Sequence, residues 1–174
     1  MRVLIKVTIE KRHVEEQITI DQYVPIDVKW GKWNEVEEST RYCRYGDFKH
    51  SLLEVGVGSK SGQIRSITLV EAKEVHLDNS DHGFKITKCE QGIPVLSADD
   101  WIGTNRLDIQ SQLTVSILKD EVVLTFGDGA VVSCIQSGRV KFGINELNEL
   151  CSIVLGGLTV NEMDELNSSL KYML

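Results

Sequence analysis

Short apolar runs alternate with polar turns along most of the chain. Arg2 to Ile9 alternates apolar and polar residues, and Gln17 to Ile20 does the same after a charged bend. Such alternation is typical of half-buried β-strands, whose successive side chains point to opposite faces. The second half contains further apolar runs joined by short polar connections, namely 113–118, 122–126, 130–135, 139–144 and 150–155. Because short connections reverse the direction of the chain, the pattern predicts antiparallel meanders.

One hairpin motif occurs twice. Val55-Gly56-Val57 and Phe142-Gly143-Ile144 each end a predicted strand, and a polar turn follows each of them. The next strand then carries a Ser-Ile pair, at 66–67 in one copy and at 152–153 in the other. A hairpin written twice, roughly half the chain apart, predicts two related β-rich halves.

The expected architecture is mainly β with a minor helical part. We expect one domain over residues 1–174, in which two packed halves, about 1–76 and 113–174, are joined by an irregular loop region, 77–112. Two arrangements of the antiparallel meanders stay open, a sandwich and a half-open barrel. A chain of 174 residues can bury a full hydrophobic core in either arrangement.

An amphipathic helix is predicted at the C-terminal end. Thr159 and Glu162 have the spacing of a capping box, in which each side chain bonds the backbone N–H of the other residue. Apolar residues then recur at helical spacing, namely Met163, Leu166, Leu170 and Met173. They form one stripe that would cover a sheet face, so we expect this helix to serve packing.

The cysteines and the apolar runs bear on the compartment. Cys43, Cys89, Cys134 and Cys151 are far apart and include no Cys-x-x-Cys pair, so we expect buried free thiols rather than disulfides. No stretch is long enough to span a bilayer. Lys6 interrupts the apolar N-terminal run, which therefore does not form the core of a signal peptide. These features predict a cytoplasmic protein.

Signatures of catalysis, metal binding and cofactor binding are missing from the sequence. His76, Asp78, Asp81 and His82 come nearest to a metal cluster, but their spacing matches no metal motif. No Gly-x-Ser-x-Gly elbow is present, and the glycine-rich stretch 56–62 lacks the spacing of a phosphate loop. We therefore expect a protein that is not an enzyme and that holds no cofactor and no metal.

Acidic residues exceed basic residues in this chain. With 26 Asp and Glu against 19 Lys and Arg, the net charge is −7. Such a charge repels nucleic acid and lipid phosphate and attracts basic proteins. A basic protein partner is therefore favoured over DNA, RNA or a membrane surface.

Acidic residues gather beside two tryptophans. In protein interfaces, carboxylates attract a basic partner over a distance, and a neighbouring aromatic ring provides a buried anchor. The candidate partner-binding residues are Trp33, Glu35, Glu37, Glu38, Asp78, Asp81, Asp99, Asp100 and Trp101. The alternative is that both tryptophans are core residues and the acids only maintain solubility.

Segments of both hairpin copies resemble a known group of proteins. Val140 to Ile144, Leu150 to Ile153, and Leu158-Thr159 with the acidic helix look like the C-terminal ends of small bacterial immunity proteins, and Gly62 to Leu69 is similar in style. Immunity proteins protect a cell from its own polymorphic or contact-dependent growth-inhibition toxin. The resemblance implies a cytoplasmic antitoxin that covers the active site of a cognate toxin domain, commonly a basic nuclease. It implies no catalytic residue and no cofactor. We expect a monomer or a weak dimer, because an unpaired edge strand could serve either a second copy or the toxin.

A rival expectation is a small-molecule-binding β-barrel or β-sandwich without catalysis, in which the repeated hairpins would wrap an apolar pocket. The two classes differ in what stabilises them. A ligand-binding protein gains thermal stability from small molecules, whereas an antitoxin gains it from its protein partner.

Overall fold

The computed structural model describes residues 5–31, 38–77, 89–97 and 101–171. These residues are mostly β-strand, with one helix in the described part of the chain, so the mainly β class with a minor helix is confirmed. The elements are β1 (Lys6–Glu10), β2 (Glu16–Thr19), β3 (Ile26–Trp30), β4 (Thr40–Gly46), β5 (Leu52–Gly58), β6 (Ile64–Glu71), β7 (Glu74–Leu77), β8 (Glu90–Gln91), β9 (Ile93–Ser97), β10 (Arg106–Gln110), β11 (Thr114–Ile117), β12 (Val122–Thr125), β13 (Ser133–Ser137), β14 (Val140–Ile144), β15 (Leu150–Leu155) and α1 (Val160–Lys171).

The strands form two large sheets and a small one. The first sheet has the order β10-β4-β5-β6-β3-β2, and the second has the order β7-β11-β12-β15-β14-β13-β8. Neighbouring strands are antiparallel except for three parallel pairs at sheet edges, β10 with β4, β7 with β11 and β8 with β13. β1 and β9 form the small sheet. Neither large sheet closes into a barrel in the described part of the chain.

Five strands have the same order in both large sheets. The neighbours β4, β5, β6, β3 and β2 correspond to β13, β14, β15, β12 and β11. The register corresponds too, because Gly56 pairs with Ser66 and Gly143 pairs with Ser152, and the register shifts directly after each glycine. In the first sheet β3 precedes the meander β4-β5-β6 in sequence and lies beside β6, and in the second sheet β12 precedes the meander β13-β14-β15 and lies beside β15. Both are Greek-key arrangements. The hairpin that the sequence writes twice is thus a structural repeat.

The small sheet joins the two repeats. Val7 of β1 lies opposite Leu96 of β9. Leu96 donates its backbone N–H to the Gly62 carbonyl at 2.8 Å, and Val7 donates its N–H to the Asn148 carbonyl at 3.1 Å. Gly62 and Asn148 occupy equivalent turns and both have a positive φ, 70° and 60° respectively. Each strand of the small sheet therefore docks on the hairpin turn of the other repeat, as in an approximate twofold arrangement.

The region 77–112, expected to be an irregular loop, contains strands. β8, β9 and β10 all lie within it, and β10 pairs with β4 from Arg106 beside Tyr42 to Gln110 beside Gly46. β7, from the first half, pairs with β11 in the second sheet. These parallel edge strands pair with residues far away in the sequence, so no local turn signal reveals them. The expected division into halves, about 1–76 and 113–174, stays a prediction, and β7 and β10 each pair with a strand across its boundaries.

Aromatic residues join the two large sheets in the core. The rings of Trp30 and Phe142 lie 5.7 Å apart, and those of Tyr45 and Phe126 lie 4.5 Å apart. Each pair has one residue from a strand of the first sheet and one from the second sheet, where Phe142 lies in β14 and Phe126 directly follows β12. All four residues belong to a single buried cluster, so the two sheets pack face against face.

The C-terminal helix α1 has the predicted start. The backbone N–H of Glu162 donates to the Thr159 hydroxyl at 3.2 Å, and the backbone N–H of Thr159 donates to the Glu162 carboxylate at 3.1 Å. Leu166 and Leu170 are buried in the core, which confirms the packing role of the helix, while Met173 lies outside the described residues. In the part of the chain that the structure describes, no helix is long and apolar enough to cross a membrane.

The cysteines divide into two kinds. Cys89 and Cys134 form a disulfide with a Cα–Cα distance of 4.6 Å, so the expectation of free thiols is wrong for this pair. It fails because β8 and β13 bring together cysteines that lie 45 residues apart. Cys43 and Cys151 are buried free thiols, as expected. Burial raises the pKa of Cys43 to about 12 and is the main cause that raises the pKa of Cys151 to about 11, so neither is a ready nucleophile.

Candidate binding cleft

An open cleft of about 660 Å³ lies where β10 and β12 end and β15 begins. Three segments form it: residues 108–112 at the end of β10, residues 125–128 after β12, and the turn that leads into β15. Tyr45 and Phe126 contribute the aromatic part of its lining. We call this space the acidic cleft, because Asp108, Asp128 and Glu149 line it and no lysine or arginine of the described residues does.

Asn145 organises the turns on one side of the acidic cleft. Its side-chain oxygen accepts the backbone N–H groups of Leu147 and Glu149, each at 3.0 Å. Its amide nitrogen donates to the backbone carbonyl of Asp128 at 3.0 Å and lies 3.4 Å from a carboxylate oxygen of Glu149. Because Asn145 is only 5% exposed, these bonds tie the Asp128 turn and the Glu149 turn into one unit.

The three carboxylates of the acidic cleft lie in three different settings. Asp108 receives two hydrogen bonds from the Arg44 guanidinium, at 2.7 and 2.8 Å, and these bonds lower the pKa of its carboxyl group. Asp128 is exposed in the Gly127-Asp128-Gly129 turn. Glu149 is half-buried next to the aromatic lining. Burial raises the pKa of Tyr45 well above its ordinary value, and the negative charge of Glu149 adds to the effect, so its hydroxyl stays protonated.

The other repeat has a different surface at the equivalent place. From the strand registers, Trp30 and Gly31 correspond to Phe126 and Gly127, and Gln63 corresponds to Glu149. The space there measures about 190 Å³, and its lining includes Arg12 and Arg65. The fold can therefore fill this position with its own side chains, and the open acidic form is specific to the second repeat.

Most of the residues predicted to bind a partner lie outside the described residues. These are Trp33, Glu35, Glu37, Asp78, Asp81, Asp99 and Asp100. Of the predicted set, the structure describes only Glu38 and Trp101. It does not bring these two together with the acidic cleft, since neither lines it.

Glu38 holds the turn between β5 and β6. Its carboxylate accepts backbone N–H groups from Lys60 at 2.6 Å and Ser61 at 2.8 Å, and it pairs with Arg65 at 3.2 Å. Burial alone would raise the pKa of Glu38, but the hydrogen bonds from Ser61 and Lys60 and the charge of Arg65 outweigh it and lower the pKa. In the protein without a partner, the Glu38 carboxylate is thus engaged in intramolecular bonds that hold this turn.

Trp101 is buried, with only 5% of its surface exposed. The guanidinium carbon of Arg41 lies 5.8 Å from the centre of its ring. A role of Trp101 in binding a protein partner stays a prediction, and it would require the ring to become accessible.

The acidic cleft was not identified from the sequence. Asp128 and Glu149 each lie in a polar connection between predicted strands, and polar residues are common in such turns whether or not they bind anything. Asn145, at the start of its turn, was a feature of the sequence from which the turn could have been predicted. An asparagine side chain often bonds the backbone N–H two residues later in the chain and so fixes the geometry of the turn. The described residues also contain no group of three or more His, Cys, Asp or Glu that could hold a metal ion.

Comparison with known proteins adds no family to this description. No model of a known protein family matches the chain, and no curated protein sequence matches it either.

Proposed function

We propose that this chain is an immunity protein, which binds a basic toxin domain and blocks its active site. The observation that carries the proposal is the acidic cleft, an open space lined by three carboxylates and by no lysine or arginine of the described residues. Asp108 is already paired with Arg44 and Arg106, so Asp128 and Glu149 are the carboxylates that the proposal uses. The net charge of −7 supports the same assignment, because it attracts a basic partner over a longer range.

The acidic cleft would act by taking basic side chains of the partner. An enzyme that cuts nucleic acid presents lysine and arginine to phosphate groups, and carboxylates such as Asp128 can occupy those contacts instead. Charged groups of this kind mainly accelerate association and set specificity. The aromatic lining below them would add apolar contact area at the centre of the interface.

The cytoplasmic part of the proposal depends on the redox state of one bond. Disulfides persist in oxidising compartments and are rare in the cytosol. A cytoplasmic immunity protein would therefore have to shield the Cys89–Cys134 bond or function with it reduced. Cys134 is 5% exposed, which supports shielding of at least one of the two sulfur atoms.

Two charge-reversed variants test the proposal. Asp128→Lys changes an exposed side chain in the acidic cleft, just after β12, and Asp120→Lys changes an exposed side chain just before the same strand. Wild type and both variants would be immobilised and exposed to native cell lysate at low salt, and the bound proteins eluted with high salt and identified by mass spectrometry.

We expect wild type and Asp120→Lys to retain the same basic protein at equal stoichiometry, and Asp128→Lys to retain much less of it. The purified partner should then be toxic when expressed alone and harmless when expressed with wild type. Equal retention by all three proteins would contradict the assignment to the acidic cleft, and a partner without toxicity would contradict the immunity function.

A second candidate function follows from the size of the acidic cleft. Its volume of about 660 Å³ is within the range of small-molecule sites, so a cationic metabolite such as a polyamine is the alternative occupant. A saturable rise in melting temperature with spermidine, lost in Asp128→Lys and kept in Asp120→Lys, would favour this alternative.

A further inference from the structure

Arg41 and Trp101 are neighbours, and each has a buried N–H donor for which the described part of the chain supplies no acceptor. Nε of Arg41 and the indole Nε1 of Trp101 are both inaccessible to solvent, and no described residue is their hydrogen-bond partner. The guanidinium carbon lies 5.8 Å from the centre of the indole ring, so the two side chains are in contact. Buried N–H groups almost always have an acceptor, and two orphan donors on contacting side chains therefore indicate a missing acceptor.

Other arginines of the same sheet have carboxylates as partners for their guanidinium groups. Arg44, on the same strand as Arg41, donates to both oxygens of Asp108. Arg65 pairs with the Glu38 carboxylate and donates to backbone carbonyls. The described residues place no carboxylate in such a pair with Arg41, whose guanidinium instead lies over the Trp101 ring. A guanidinium remains charged at any physiological pH, so a partly buried one without a counter-ion favours an anion.

We propose that Arg41 and Trp101 bind a small oxyanion, a phosphate or a carboxylate. The guanidinium supplies the positive charge and the Nε–H donor, and the indole supplies a second N–H. The ring also holds the guanidinium by cation–π contact, which limits the rotation of the arginine side chain. Since both donor atoms are buried, the occupant is either a small ion or the tip of an acidic side chain. This site is separate from the acidic cleft, whose lining contains neither residue.

The indole N–H signals of the tryptophans in an NMR spectrum of ¹⁵N-labelled protein provide the test. Trp30 is the internal reference, because its indole N–H already donates to the Ser137 hydroxyl. Inorganic phosphate and acetate would be titrated separately at constant ionic strength, with chloride as the third arm. Phosphate represents the tetrahedral oxyanions and acetate the carboxylates of acidic side chains.

We expect one of the two oxyanions to shift the Trp101 signal saturably while the Trp30 signal stays in place, and chloride to shift neither. In Arg41→Gln the Trp101 shift should disappear, and an unchanged Trp30 signal would show that the fold is intact. No Trp101 shift with either oxyanion, or the same shift in Arg41→Gln, would overturn the proposal.

A second measurement covers the case in which Arg41→Gln does not fold. Trp101→Phe keeps an aromatic ring beside Arg41 and removes the indole N–H donor together with part of the ring. The oxyanion that shifts the NMR signal should raise the melting temperature of wild type saturably and raise that of Trp101→Phe markedly less. Equal rises in both proteins would overturn the role of Trp101.

Discussion

Trp30 donates its indole N–H to the hydroxyl of Ser137 at 3.0 Å, across the interface of the two large sheets. By the strand registers, the equivalents of these residues in the opposite repeats are Phe126 and Tyr45. Those two rings also meet across the interface, at 4.5 Å. The approximate twofold arrangement therefore places one polar and one aromatic contact at corresponding points, and the core is joined at both.

Loss of the Ser137 hydroxyl should destabilise the protein. Ser137→Ala leaves the buried indole N–H of Trp30 without an acceptor, which costs about 1–3 kcal/mol of the free energy of unfolding. Trp30→Phe removes the donor as well as part of the ring, so the double variant should be more stable than the sum of the single effects predicts. Urea unfolding of the four proteins measures this coupling, and strictly additive effects would contradict a hydrogen bond that matters for stability.

The hairpin turn of the first repeat should reject any side chain at Gly62. This residue has a φ of 70°, and a Cβ atom there would lie 2.5 Å from the carbonyl oxygen of Leu96. Gly103 has a similar φ of 74° but nothing within 4 Å of the corresponding position, so it is a matched control. Gly103→Ala should cost about 1–2 kcal/mol from backbone conformation alone.

Gly62→Ala should cost clearly more than the control, because the contact with Leu96 is added and the docking of β9 is disturbed. Thermal and urea unfolding of both variants provide the comparison. If Gly62→Ala and Gly103→Ala lower the free energy of unfolding equally, the backbone around Leu96 moves away from the new Cβ atom at no cost in stability.

Local features of this fold follow from the sequence, and distant pairings do not. The capping box of Thr159 and Glu162 and the two copies of the hairpin depend on neighbouring residues, so the pattern alone predicts them. The pairing of β10 with β4 brings Asp108 to Arg44 over 64 residues, and no short-range pattern encodes it. The acidic cleft was missed for the same reason, because Asn145 joins the Asp128 and Glu149 turns only in the folded chain.

The Cys89–Cys134 disulfide should contribute substantially to stability. It closes a segment of 45 residues, and a cross-link of this kind typically stabilises a protein by about 2–4 kcal/mol. A reducing agent should therefore lower the urea midpoint of wild type and leave that of Cys89→Ser/Cys134→Ser unchanged.

Alkylation identifies the bonded pair directly. In unreduced, denatured wild type, mass spectrometry should find label on Cys43 and Cys151 and none on Cys89 and Cys134. Label on all four cysteines would contradict the disulfide.

The contact between Arg139 and Glu162 should make stability depend on pH in the acidic range. Arg139 donates to both carboxylate oxygens of Glu162, at 3.2 and 2.5 Å, and these bonds lower the pKa of Glu162 below its ordinary value of 4.5. A carboxyl group with a lowered pKa in the folded state stabilises the protein above its unfolded pKa, and this stabilisation is lost as the pH falls through the folded pKa.

Glu162→Gln should therefore be less stable than wild type at pH 7, and the difference in the free energy of unfolding should shrink steadily as the medium is acidified below the ordinary pKa of Glu. Urea unfolding at a series of pH values measures it, with Glu165→Gln as an exposed control on the same helix. A difference between wild type and Glu162→Gln that stayed constant down to the lowest pH would show that the ion pair does not carry the effect.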